Sequence, residues 1–442
     1  ITTITATQIG SDNYNAAPPV ALPFAIATAA ATVTLTDLTH TYNGSPKGAG
    51  GTTAPLAGLT LSFNYTTGPD GTAPINAGSY GVTATIVDAR YQGFATGTIT
   101  INKADQVIDF AALPSKPFND PNFALTAVSR RVGDNQPTGL TISYTSSDTS
   151  KADIVSGNMV DLIQQGSTTI TASQTGDSNY NAATSVPQPL VVEAAGQTIT
   201  FAGTELTGKT FGNGPITLVA ESRAKLDSTL TGLTVAFTSD NPAVATINAN
   251  TLTIVGAGTA NITASQAGNP GFFAAADPVT RVLTVAPAAA TVTLGSLAQV
   301  YNNTPRAATA VTDPAGLNVA FAYTPTGGTA SPTAPTAAGS YTVNAMIAGV
   351  TPPESNYVGS ATGTLVIAKA TATVTLGSLA QTYTGSALSA TATTTPAGKT
   401  VTVTYDGSST APTNVGSYAV IGTINDSNYE GSASGTLVIA KA

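Results

Sequence analysis

Ala31-Thr-Val-Thr-Leu35 returns as Ala290-Thr-Val-Thr-Leu294 and as Thr373-Val-Thr-Leu376, and the motifs downstream of each copy recur in the same order. A Leu and a Tyr turn come next: Tyr42-Asn-Gly44, Tyr301-Asn-Asn303 and Tyr383-Thr-Gly385. Then stand Asn76-Ala-Gly-Ser-Tyr80, Ala337-Ala-Gly-Ser-Tyr341 and Asn414-Val-Gly-Ser-Tyr418, followed by Tyr91-Gln-Gly93, Tyr357-Val-Gly359 and Tyr429-Glu-Gly431. Each copy closes on an alternating run: Gly97-Thr-Ile-Thr-Ile-Asn-Lys-Ala104, Gly363-Thr-Leu-Val-Ile-Ala-Lys-Ala370 and Gly435-Thr-Leu-Val-Ile-Ala-Lys-Ala442. Self-similarity of this kind defines a repeat protein before any element is assigned. Apolar residues alternate with Thr and Ser, and Gly, Pro or Asn punctuates the runs, which is the pattern of short half-buried strands.

A second repeat type begins at Gln106-Val-Ile-Asp-Phe110 and Gln197-Thr-Ile-Thr-Phe201. It continues through Ser143-Tyr-Thr-Ser-Ser-Asp148 and Ala236-Phe-Thr-Ser-Asp240, then Thr169-Ile-Thr-Ala-Ser-Gln174 and Asn261-Ile-Thr-Ala-Ser-Gln266. Thr3-Ile-Thr-Ala-Thr-Gln8 and Asp12-Asn-Tyr-Asn-Ala-Ala17 match Thr169 to Ala183, so residues 1–27 read as the closing part of such a module. The opening part, about 60 residues for a repeat of roughly 90, occurs nowhere spare, and the chain is expected to be a window on a longer array. The expected modules are 1–27 (second type, partial), 28–104 (first), 105–195 and 196–288 (second), and 289–370 and 371–442 (first). Junctions fall at Lys103-Ala104, Ala194-Gly196, Pro287-Ala290 and Lys369-Ala370, with almost no linker. Since a Gly/Ser coil would allow free bending and these joints do not, the expectation is a semi-rigid rod of small all-β sandwiches, their cores drawn from alternating residues of two sheets.

Composition narrows function. Of the 442 residues only 9% are charged, against about 25% in ordinary soluble domains, so the surface is rich in hydroxyls. The net charge of −8 and 15 scattered Lys and Arg leave no basic stripe, which disfavours nucleic acid and anionic membrane as partners. Cysteine is absent, so neither disulfides nor thiolate metal sites hold the modules. No apolar run approaches the ~18 residues of a membrane-spanning helix.

The first repeat type resembles the MBG repeats of bacterial surface adhesins, through the paired Tyr-x-Gly turns, the Gly-Ser-Tyr element and the terminal Ile-x-Lys-Ala. The second is similar to the bacterial immunoglobulin-like repeats that accompany them, through Phe237-Thr-Ser-Asp-Asn-Pro-Ala-Val-Ala245, Gly256-Ala-Gly-Thr-Ala-Asn-Ile-Thr263 and Leu283-Thr-Val285. In residues 105–195 that pattern is degraded, Gln164-Gln-Gly-Ser-Thr168 replacing the Gly-x-Gly-Thr turn. The resemblance implies secretion, surface display and tandem architecture, and no particular ligand.

No catalytic, cofactor-binding or metal-ligating residue is assigned. A single histidine, His40, precedes a Tyr turn, with Val300 and Thr382 nearby in the sister copies; a triad or a His-based metal site needs more than one such group. Nucleophile elbow, phosphate loop and zinc signature are all missing. The acidic turns Asp12-Asn-Tyr14, Asp177-Ser-Asn-Tyr180, Glu354-Ser-Asn-Tyr357 and Asp426-Ser-Asn-Tyr429 offer the oxygen donors that calcium takes. The alternative is that Asp and Asn cap a turn while Tyr packs on its own core. The equivalent Asn269-Pro-Gly-Phe272, which keeps the aromatic and loses the acid, favours that alternative. Tyr80, Tyr341 and Tyr418 are placed to anchor a sandwich corner through their hydroxyls. Lys103, Lys369 and Lys441 are expected to be exposed junction residues, since a Lys-Asn crosslink would need burial beside an acid.

Together these features point to a structural, non-enzymatic segment of an extracellular or cell-surface fibre, self-associating through strand edges that little charge protects. Two other readings stand beside it: an array of adhesion modules binding glycan or host protein, and an accessory region of a secreted hydrolase.

Overall fold

The computed structural model describes residues 1–66 and 71–442, nearly all in strands and the turns between them. Among these residues there is no α-helix, only the 3-10 turns Thr204–Leu206 and Glu354–Asn356. The chain divides into two compact units, residues 1–197, 224–229 and 268–275 in the first and 198–223, 230–267 and 276–442 in the second.

In the first unit the leading copy of the first repeat type is a small sandwich. One sheet has the strand order Thr39–Thr41, Phe94–Asn102, Gly78–Ile86, Leu61–Tyr65; the other pairs Thr32–Thr36 with Gly50–Ala54. Alternation along the strands turns Tyr65, Val82 and Ile99 inward against Leu35, Leu38, Phe63 and Tyr80, the period-2 geometry of a half-buried strand. Gly97 has a steric reason: a Cβ there would stand 2.7 Å from Leu35 Cδ1, so the glycine admits the leucine that crosses from the facing sheet. Gly363 and Gly435 leave room in the same way for Leu294 and Leu376 in the second unit, at 2.9 and 3.4 Å.

Two tyrosines in each copy of the first repeat type are held by their hydroxyls. The Tyr80 hydroxyl donates to Asn76 O at 2.8 Å, and Tyr341 and Tyr418 donate likewise to Ala337 O and Asn414 O at 2.9 Å. The buried Tyr65, Tyr323 and Tyr405 hydroxyls accept from the backbone N–H of Ala49, Ala308 and Ala390. A buried phenol has to be satisfied in this way.

The second repeat type builds a four-stranded and a three-stranded sheet. In the first unit these run Lys116–Pro117, Val186–Glu193, Gly166–Ser173, Ser143–Ser146, and Phe123–Ala124, Met159–Leu162, Ala152–Val155. Ile170, Leu190 and Val192 close its core. The hairpin Thr2–Gln8 with Ala17–Phe24 has the register of Gly166–Ser173 with Val186–Glu193: Ile4 faces Leu22 as Ile170 faces Gln188. Its residues are exposed throughout. In the second unit the corresponding sheets surround Phe201, Leu206, Leu252, Ile262 and Leu283, and two further copies of the first type follow.

His40 sits on Thr39–Thr41 at the register held by Gln299 and Gln381 in the sister strands, each opposite an isoleucine and one residue before Thr41, Val300 or Thr382. Its Nε2 lies 3.2 Å from Gly48 O; the two glutamine amides donate to Ala307 O and Ser389 O at 2.8 and 2.9 Å. With a carbonyl as acceptor the ring nitrogen carries the proton. The histidine thus holds a loop, as its glutamine counterparts do.

Candidate functional site

Three of the acidic-aromatic turns, those ending at Tyr180, Tyr357 and Tyr429, lie where one repeat meets the next within a unit; in the fourth, Tyr14 is 78% exposed and bridges only Ser11 of its own turn. In the first unit Ala104, 1% exposed, forms a parallel bridge with Tyr180: its N–H donates to Asn179 O and its carbonyl accepts from Asn181 N, both at 2.9 Å. The joint between repeats is therefore one rung of sheet, with its backbone groups satisfied. In the second unit Ala288–Ala289 pairs in parallel with Tyr357–Val358, and Ala370–Thr371 with Tyr429–Glu430. Ala29–Ala30 pairs with Tyr91–Gln92 in the first.

Glycine makes this approach possible. A Cβ on Gly93 would meet Ala31 O at 2.0 Å, on Gly359 Ala290 O at 2.1 Å and on Gly431 Ala372 O at 2.0 Å. The Tyr-x-Gly motif is thus the seat of the linker strand: two residues pair with it and the third stays bare beneath its carbonyl.

Asp177 Oδ1 accepts from the N–H of Asn179 and Tyr180 at 2.7 and 2.8 Å, and Asp426 Oδ1 from those of Asn428 and Tyr429 at 2.8 and 3.1 Å. These carboxylates fix their own turn. The asparagine does something else. Asn179 Oδ1 accepts from Ala77 N at 2.9 Å, Asn428 Oδ1 from Ala338 N at 2.8 Å and Asn356 Oδ1 from Ala257 N at 2.7 Å, each time in the preceding repeat. The donor is always the residue before a glycine at large positive φ: Gly78 at 154°, Gly339 at 153° and Gly258 at 136°.

The aromatic side chain also reaches across. Tyr180 stands edge-on to Tyr42 at 5.2 Å, Tyr429 to Tyr301 at 5.2 Å and Tyr357 to Phe211 at 5.5 Å, the offset in which ring edge meets ring face. Burial raises the Tyr180 phenol, and Arg131 nearby opposes the rise. Lys103 Nζ and Lys369 Nζ donate to the carbonyls of Asp177 and Asp426 at 2.6 and 2.7 Å while remaining exposed. The clasp thus consists of a backbone rung, an asparagine bond, an aromatic pair and, at two joints, a lysine strap.

The first unit contains a variant on Asn269–Phe273. Ala195 bridges Phe273, Phe118 stands edge-on to both Phe272 and Phe273 at 5.3 and 5.2 Å, and Gln165 N donates to Gly271 O at 2.7 Å. Gln165 precedes Gly166, at φ 148°; a backbone carbonyl here replaces the asparagine oxygen.

Sequence reasoning placed Asp, Asn and Tyr of these turns inside one module, and the structure turns Asn and Tyr outward to its neighbour. One signal pointed there. The Ser-Asn-Tyr run occurs in both repeat types, which otherwise differ, so it serves a feature that the two types share, namely a joint. Away from the joints, an apolar groove of about 730 Å³ in the second unit is lined by Leu218, Val235 and Phe237 among others and by no ionisable side chain.

The MBG domain family matches residues 31–105, 290–371 and 372–442, together just over half of the chain. No curated protein sequence matches. Among solved structures, cadherin domains 3–6 of protocadherin gamma B2 align at 14% identity and TM-score 0.26 over 79% of this chain and all of that one. Domains 1–6 of the surface layer protein SbsC align at 14% identity and TM-score 0.21, over 93% and 67%. Mouse protocadherin-24 domains 1–3 align at 11% and 0.23, over 60% and 98%.

Proposed function

The chain belongs to the MBG-domain family, and from that premise we propose that it is a structural stretch of an extracellular or cell-surface fibre, working through its repeats and joints and not through a catalytic centre. The carrying observation is the clasp: one residue of linker is drawn into a sheet rung and the flanking repeats share an asparagine hydrogen bond and an aromatic pair. A joint so tied resists bending as a coil linker does not. On the same reading residues 105–195 and 196–288 are two immunoglobulin-like modules and residues 1–27 the closing part of a third. No helix among the described residues is long and apolar enough to cross a membrane.

Self-association belongs to this proposal. The edge strands Leu61–Tyr65 and Val401–Tyr405 carry neither a charged residue nor a proline, and unguarded edges are templates for further pairing. Cryo-microscopy of the purified chain should give a narrow spread of angles between clasped repeats, and freely jointed particles would overturn the structural reading. Mass photometry should show oligomers growing with concentration; monomers alone over a wide range would remove the self-association.

A further inference from the structure

In each of five repeats a short strand near the entrance (here the entering strand), reached after a first strand such as Thr32–Thr36 or Gln106–Phe110, runs parallel beside the strand along which the chain leaves. Thr39–Thr41 pairs in parallel with Thr100 to Asn102, Ala298–Val300 with Val366 to Ala368, and Ala380–Thr382 with Val438 to Ala440. The second repeat type does the same with Lys116–Pro117 against Val192 and Glu193, and Lys209–Thr210 against Val285 and Ala286. The pairing is bonded at both ends in the first type: Thr100 N donates to Leu38 O at 2.8 Å and Tyr42 N to Asn102 O at 2.9 Å. Val438 N and Tyr383 N donate to Leu379 O and Ala440 O at 2.8 and 2.9 Å.

Tension along a chain draws the entering strand toward its N-terminus and the leaving strand toward its C-terminus. Because the two strands are parallel, these pulls oppose one another along a shared axis. The bonds run slantwise between the strands, evenly spaced along that axis, so the load is shared among them and does not open them one after another. The residue immediately after the entering strand is Tyr42, Phe118, Phe211 or Tyr301, the aromatic that packs on the turn across the joint. Clamp and clasp therefore meet at one residue.

We propose that the repeats bear mechanical tension: each is a shear clamp that transmits force along the chain, and the clasp couples one clamp to the next. This rests on the structural reading above and adds a mechanical function to it. The chain has no cysteine, so introduced pairs define the points of pulling in the 442-residue chain. Thr371→Cys with Ala442→Cys loads the last repeat in shear. Ser386→Cys with Ala442→Cys pulls Ala380–Thr382 and Ser432–Ala440 apart from the same end, one bond after another. All three positions are exposed, so both variants should fold. Force spectroscopy, which reads the barrier to unfolding, should give a several-fold higher rupture force for the first pair. Equal forces, or the reverse order, would overturn the proposal. The angular spread between repeats does not depend on where the molecule is pulled, so the structural reading and this one can fail separately.

Discussion

Two joints of the second unit solve one problem with different acids. At Asp426-Ser-Asn-Tyr429 the carboxylate folds back onto the N–H groups of Asn428 and Tyr429. At Glu354-Ser-Asn-Tyr357 the side chain, one methylene longer, is buried within its repeat and accepts from Asn318 Nδ2 at 2.6 Å, while Glu354–Asn356 coils into a 3-10 turn. The acid has changed its task and the turn its conformation. The contacts that cross the joint have not changed: Asn356 and Asn428 both accept from an alanine N–H, and both tyrosines meet an aromatic edge-on. The interface is defined by asparagine, tyrosine and glycine, and the acid only presents them.

If that is correct, the largest effect should be the same at both joints. Gly431→Ala would place a methyl carbon 2.0 Å from Ala372 O, and Gly359→Ala one 2.1 Å from Ala290 O. Neither contact can be relieved by a side-chain rotation, since the obstacle is backbone. We expect each substitution to cost about 3 kcal/mol, the upper part of the overpacking range, and to strip hydrogen-exchange protection from the amides of Ala372 and Ala290. A joint that kept its protection after its substitution would show that the linker is not seated on the glycine.

A middling effect should separate the joints by burial. Asn428→Ala and Asn356→Ala each orphan one backbone N–H, which costs about 1–3 kcal/mol when water cannot replace the lost acceptor. Asn356 is only 5% exposed and Asn428 half-buried, so Asn356→Ala should be the costlier. Exchange at Ala257 and Ala338 measures it directly. The opposite ranking would mean that water reaches the Asn356 joint more readily than its burial implies.

The three MBG copies, the strands and the corner tyrosines could be read from sequence because each depends on residues close together in the chain: alternation over a strand such as Gly416–Ile424, or a Tyr418 hydroxyl reaching four residues back. The Asp426 turn was equally legible, since its bonds span two and three residues. Asn428 was not, because its partner Ala338 lies 90 residues away in another repeat, and no periodicity records how one module seats on the next. Gly431 was visible as part of a motif, yet its reason is a carbonyl at Ala372 that only the folded joint brings near. Comparing Asn across the two repeat types, and not within one, was the available route to the interface.

The smallest effect is a dependence on pH, and it should appear at one joint more than the other. The N–H of Asn428 holds the Asp426 carboxyl below its ordinary value, helped by the Lys399 and Lys369 charges and the N–H of Tyr429, and partly opposed by desolvation. A carboxylate whose folded value is depressed stabilises the fold fully above its unfolded value, about 3.9, and ceases to do so as pH falls through the folded value. Below about pH 4 the Asp426 turn should therefore loosen, and Ala338, which depends on the asparagine that turn presents, should lose exchange protection after correction for the intrinsic pH dependence of exchange. Asp426→Asn, which removes the titrating group, should flatten this response at Ala338. At the other joint the Glu354 carboxylate accepts from Asn318 and not from its own turn, so protection at Ala257 should fall less over the same interval. If Ala257 and Ala338 lose protection in step, and Asp426→Asn leaves the Ala338 profile as it was, then the acid has no part in presenting the clasp.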